Sequence, residues 1–150
     1  MTRPALPVST VFALAAMVVL ATTCQAPLPD GGGQEQLRGT WLREYSERGV
    51  RVRRILSLQA DGAFHEKVRI VEASGAVTDY AHEGTWLYDG TNLKRRYTLM
   101  NGEPPSRLNV PFATFEIAFE SRNEFTGVDH IHGHTVHYRR IGDDAPLDPD

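Results

Sequence analysis

His82-Glu-Gly-Thr-Trp-Leu-Tyr-Asp-Gly-Thr-Asn-Leu-Lys-Arg-Arg-Tyr-Thr-Leu-Met100 decides the fold class of this chain. Aromatic and β-branched residues crowd both arms, and Asp89-Gly90 sits between them, where a tight turn needs residues that tolerate positive φ. The stretch therefore predicts a β-hairpin. Its head, Gly84-Thr85-Trp86-Leu87, repeats Gly39-Thr40-Trp41-Leu42 from earlier in the chain. The repetition implies two similar strand starts in one sheet system. Each would place a Trp at comparable depth, with a Gly permitting close backbone approach beside it.

Outward from that hairpin, similar runs cover most of the chain: Thr40 to Ser46, Val50 to Gln59, Ala63 to Glu72, Val77 to Tyr88, Asn92 to Met100, Pro111 to Glu120, Asn123 to His130 and Thr135 to Ile141. The breaks between them, such as Arg48-Gly49, Asp61-Gly62, Ser74-Gly75 and Asn101-Gly102, are turn residues. No stretch repeats apolar residues with a helical period over a helical length. Alternation gives the inward side. Val52, Arg54, Leu56 and Leu58 share one phase, as do Phe64, Glu66, Val68 and Ile70, and Phe115, Ile117 and Phe119, while the opposite phases are mixed or charged. The expectation is an all-β domain over 37–141, an antiparallel up-and-down barrel of about eight strands, with a two-sheet sandwich as the alternative.

The chain has 150 residues, 41% apolar and 23% charged, which suits one folded domain. Its formal charge of −3, with basic residues spread along the strands, lacks the footprint of a nucleic-acid binder.

Before the strands, Arg3 opens a basic segment, Val11 to Ala21 is an apolar run of 11 residues, and no acid precedes Asp30. This is the pattern of a signal peptide, over 1–23, and it is too short to span a bilayer, which takes roughly 20 apolar residues. The only cysteine, Cys24, follows at once. Leu20-Ala21-Thr22-Thr23-Cys24 resembles a bacterial lipobox, which implies lipidation of Cys24 and a lipid bilayer as partner through that anchor. The resemblance implies a bacterial envelope lipoprotein. In Gram-negative sorting, as that resemblance implies, Gln25 rather than Asp after the Cys points to the outer membrane, with the domain facing the periplasm. The other reading is an ordinary signal peptide cut after Ala26, which Pro27 disfavours. Prolines and glycines make 24–36 a flexible tether, on the order of 20 Å in span. The acidic tail, 142–150, is expected to be loose.

Gly39-Thr40-Trp41 resembles the Gly-x-Trp signature of lipocalins and other small calycin-type barrels. That resemblance implies that Trp41 packs at the closed end against a basic residue of the last strands, Arg139 or Arg140. General pocket physics then suggests a barrel that binds a small apolar or amphipathic ligand. Candidate lining residues are Arg54, Glu66, Tyr80, Trp86 and Tyr97: the aromatics offer polar tips, and Arg54 and Glu66 interrupt apolar phases on neighbouring strands. A structural ion pair between those two is the plainer reading. The alternative function is a structural or assembly lipoprotein with a side-chain-filled barrel and an envelope protein partner. No nucleophile elbow or phosphate-cradling loop appears, and His65-Glu66 and His82-Glu83 point to opposite faces of their strands, so an enzyme is not expected, nor a cofactor. Four of the six histidines lie between Asp129 and His137. With His132-Gly133 as a two-residue hairpin tip, His130 and His137 become diagonal neighbours on one face and candidate metal ligands; solvated histidines are the plainer reading.

Overall fold

In the computed structural model, which describes residues 31–148, eight strands follow one another in chain order. They are β1 (Gly39–Glu47), β2 (Val50–Leu58), β3 (Ala63–Val71), β4 (Val77–Tyr88), β5 (Asn92–Met100), β6 (Phe112–Ser121), β7 (Glu124–Asp129) and β8 (His134–Ile141). Each pairs antiparallel with the next, and β8 returns to β1 through Thr40↔Ile141, Trp41↔Arg140 and Leu42↔Arg139. The closure excludes the sandwich. It leaves no sheet edge unpaired around the ring, which removes the usual hazard of edge-to-edge association.

The turns explain why consecutive strands are neighbours. Arg48 and Gly49, with φ of 50° and 81°, form a two-residue connection of the kind whose twist matches that of its flanking strands. The expected hairpin pairs Tyr88 with Leu93 around Asp89-Gly90, and Asp89 Oδ1 accepts from the Thr91 and Asn92 N–H groups.

The core fills the end at which β1 begins. Trp41, Leu56, Leu58, Phe64, Leu93, Phe125 and Tyr138 are buried there, and Phe125 stacks on Tyr138 with centroids 5.0 Å apart. A short helix, α1 (Gly31–Leu37), closes this end: Leu37 is fully buried and its carbonyl accepts from Trp41 Nε1 at 2.7 Å. Residues 31–36 were expected as tether. They are helical here because tertiary contacts hold them, Leu37 in the core and Gly33 so close to the Tyr88 ring that a Cβ would overlap it. A helix of seven residues carries too little periodicity to be read from sequence.

The tail also differs from expectation. Residues 142–148 run back across β1, β2 and β3 on the outer wall: Thr40 Oγ1 donates to Asp143 Oδ1 (2.6 Å), Arg53 Nη2 to the Pro146 carbonyl (3.2 Å), and Arg69 pairs with Asp148 (2.7 Å). Its acids meet a basic stripe that only the register of β2 and β3 assembles. Outward-facing Leu42 and Ile55, Cα partners on the same wall, are buried. The expected signal peptide, Cys24 and the tether as far as Asp30 lie outside the described residues, as do positions 149 and 150.

Candidate functional site

Halfway up the barrel, a charged layer crosses the interior. Glu66 on β3 is fully buried; its Oε1 accepts from Arg95 Nη1 of β5 (2.7 Å), its Oε2 meets Arg54 Nη1 of β2 (3.0 Å), and the Tyr97 hydroxyl donates to Oε2 (3.3 Å). The pleat puts all four side chains inside, since each shares the inward phase of its strand. Arg95 is caged by aromatic faces, with its Cζ 5.6 Å from the Phe64 and Tyr97 centroids and 5.7 Å from that of Phe115.

Burial alone would raise the Glu66 carboxyl, but the Arg95 and Arg54 guanidiniums more than offset it and bring it down to about 2. Burial likewise works against charge on Arg54 and Arg95, and the attraction of Glu66 reverses the effect and raises both. Tyr97 is pushed up to about 12, chiefly by burial. Burial lowers His82, so its imidazole is neutral at pH 7. One carboxylate therefore faces two guanidiniums, and the layer carries a surplus of one positive charge.

That surplus points to the open end. Arg95 is sealed, whereas the Arg54 side chain is 24% exposed; the buried Nε of each guanidinium and His82 Nδ1 have no hydrogen-bond partner among the described residues. Across β3 from Arg54 stands a wall of rings: Tyr80 stacks on His82 (6.2 Å between centroids), and His82 meets Tyr97 edge-on (5.8 Å). Arg54, Val68 and Tyr80 are successive Cα partners across β2, β3 and β4, so they line one level of the mouth. The surrounding loops present exposed Leu108, Val110 and Ile131, and Val77 at the start of β4 is exposed as well.

Of the five residues expected to meet a ligand, the structure brings Arg54, Glu66, Tyr80 and Tyr97 to this region. Trp86 lies elsewhere, buried toward the closed end with Nε1 donating to the Gln59 carbonyl at 2.9 Å. It lies toward the same end as Trp41, but the expectation of two strand starts fails: Gly39–Leu42 opens β1, whereas Gly84–Leu87 closes β4, which runs the opposite way. Arg95 was missed in the sequence, although Leu93, Arg95, Tyr97 and Leu99 share a phase that interrupts apolar residues as Arg54 does.

Trp41 sits at the closed end beneath Arg140, whose Cζ lies 4.3 Å from the ring centroid; Arg139 points outward to Glu44 at 3.4 Å. His130 and His137 do not face one another. Asp129 pairs with His134 and Thr126 with His137, because the Asp129 side chain accepts from the Ile131 and His132 N–H groups and closes a four-residue loop instead of a two-residue tip. His130 Nε2 meets Glu116 Oε2 at 2.6 Å, and His137 Nε2 lies 3.5 Å from Glu120 Oε2.

The chain matches no family model, and no curated protein matches its sequence.

Proposed function

We propose that this protein is an exported envelope lipoprotein whose barrel mouth binds a small amphipathic molecule through an anionic head group. The observation that carries the reading is Arg54: a guanidinium in excess over its carboxylate and partly exposed, beside an aromatic wall. An anion entering the mouth would meet the exposed part of that guanidinium and offset the surplus charge. The exposed apolar side chains of the rim suit the body of such a molecule. Because the closed half is filled by Trp41, Phe64, Phe125 and their neighbours, the ligand occupies the open half only. Lipidation at Cys24 would hold the closed end toward the bilayer. The segment from Cys24 to Gly31 spans at most about 25 Å, and α1 caps that end.

Calorimetry with decanoate, decanol and decyltrimethylammonium tests this. Decanoate should bind best, and Arg54→Gln should abolish its advantage. Equal binding of all three probes, or an Arg54→Gln variant that keeps the preference for the carboxylate, overturns the reading. A second reading, a structural lipoprotein whose exposed rim meets an envelope protein, is favoured by the packed closed half; it expects no uptake of any probe.

A further inference from the structure

On the outer wall, away from the mouth, a different group of side chains converges. We infer that Glu120, Glu124 and His137 form a binding site for a zinc-class divalent metal ion. One ligand atom from each lies within 4.8 Å of the others, and His137 Nε2 is 3.5 Å from Glu120 Oε2. Two ligands about 2.0–2.1 Å from a tetrahedral zinc are about 3.4 Å apart, so this pair already stands at the required separation.

The scaffold is fixed by the sheet. The three residues lie on the adjacent strands β6, β7 and β8, each in the outward phase opposite Phe119, Phe125 and Tyr138. Glu120 owes its position to a bulge: Phe119 pairs with Phe125 and Ser121 with Glu124, so Glu120 is the extra residue of β6. A bulge of this kind re-aims a side chain and is a common device beside functional sites.

Charge points the same way. Glu124 is half-buried and has no ion-pair or hydrogen-bond partner for its carboxylate among the described residues, while Glu120 has only His137. Arg139, the Cα partner of Glu124, is turned to Glu44 instead. As metal ligands, two carboxylates and an imidazole offering a nitrogen lone pair would together carry −2, which a divalent ion neutralises. The imidazole selects zinc-class ions over magnesium and calcium, which prefer oxygen. Three protein ligands leave at least one coordination position to water.

Calorimetric titration of the untagged full chain with Zn2+ and with Mg2+ tests the site. One Zn2+ should bind per chain with micromolar affinity and Mg2+ should not. His137→Ala and Glu120→Gln should each weaken Zn2+ by about 10-fold or more, whereas His130→Ala should leave it unchanged. These side chains are on the outer wall, so circular dichroism should show the fold intact. Absent Zn2+ binding, an affinity in His137→Ala and Glu120→Gln unchanged from that of the unaltered chain, loss of binding in His132→Ala instead, or equal binding of Mg2+ overturns the assignment.

Discussion

Arg140 lies over the indole of Trp41, its Cζ 4.3 Å from the ring centroid, while its Nη1 and Nη2 donate to the carbonyls of Arg38 (2.6 Å) and Gln36 (2.5 Å). One side chain thus ties the last strand to the first and to the carbonyls that end α1. The guanidinium suits this because it is planar enough to stack and carries several donors in its plane. Neighbouring Arg139 does none of this, since the pleat sends it outward.

Arg140→Ala should therefore destabilise the barrel by about 3 kcal/mol, from a lost cation–π contact and two charge-assisted hydrogen bonds. Arg139→Ala should cost less than about 1 kcal/mol, as an exposed pair does. Urea unfolding followed by tryptophan fluorescence separates the two. Equal effects would show that the contact with Trp41 is not what closes the barrel.

The Glu66 layer sets the acid stability. Its carboxyl titrates near about 2 in the folded protein against an ordinary 4.5, so between those values the unfolded chain binds more protons. The contribution of Glu66 is complete above pH 4.5 and is lost as the pH falls through about 2. Glu66→Leu should cost about 3–5 kcal/mol at neutral pH by stranding Arg95 and Arg54. Glu66→Gln should flatten the urea midpoint across the acid window. An unchanged acid slope in that variant would place the titration elsewhere.

Gly84 has no space for a side chain. A Cβ there would overlap the Arg96 carbonyl oxygen and lie 2.7 Å from the Phe64 ring. Gly84→Ala should destabilise by roughly 1–3 kcal/mol, the usual range for overpacking. Gly142 has nothing within 4 Å of its notional Cβ, and Gly142→Ala should be neutral or stabilising by less than about 1 kcal/mol. Thermal unfolding of both variants checks the contrast.

Cys24→Ala addresses the anchor. The variant should lose its lipid mass and leave the membrane fraction, with the barrel's circular dichroism unchanged. Unaltered mass and membrane association would remove the lipoprotein reading while leaving the barrel untouched.

The sequence by itself determined the strand order, the inward faces and every turn but the one after Asp129. Alternation and turn chemistry are local: a side-chain period of two fixes which residues point inside, and Gly or Asn at a turn answers a steric requirement within a few residues. The repeated Gly-Thr-Trp-Leu suggested two tryptophans at comparable depth, though its second copy ends a strand where a strand start was expected. Only tertiary structure decided what depends on register and closure. Closure brought Arg140 rather than Arg139 over Trp41. The meeting of β2, β3 and β5 made Arg95 the partner of Glu66, and the four-residue loop after Asp129 slid His137 away from His130 and toward Glu120. It also turned residues 31–36 into a plug and laid the tail on the basic stripe of β2 and β3. The loop after Asp129 is local chemistry that the His132-Gly133 signal masked; the others join groups from strands whose relative alignment is set by packing around the whole ring, which no local pattern encodes.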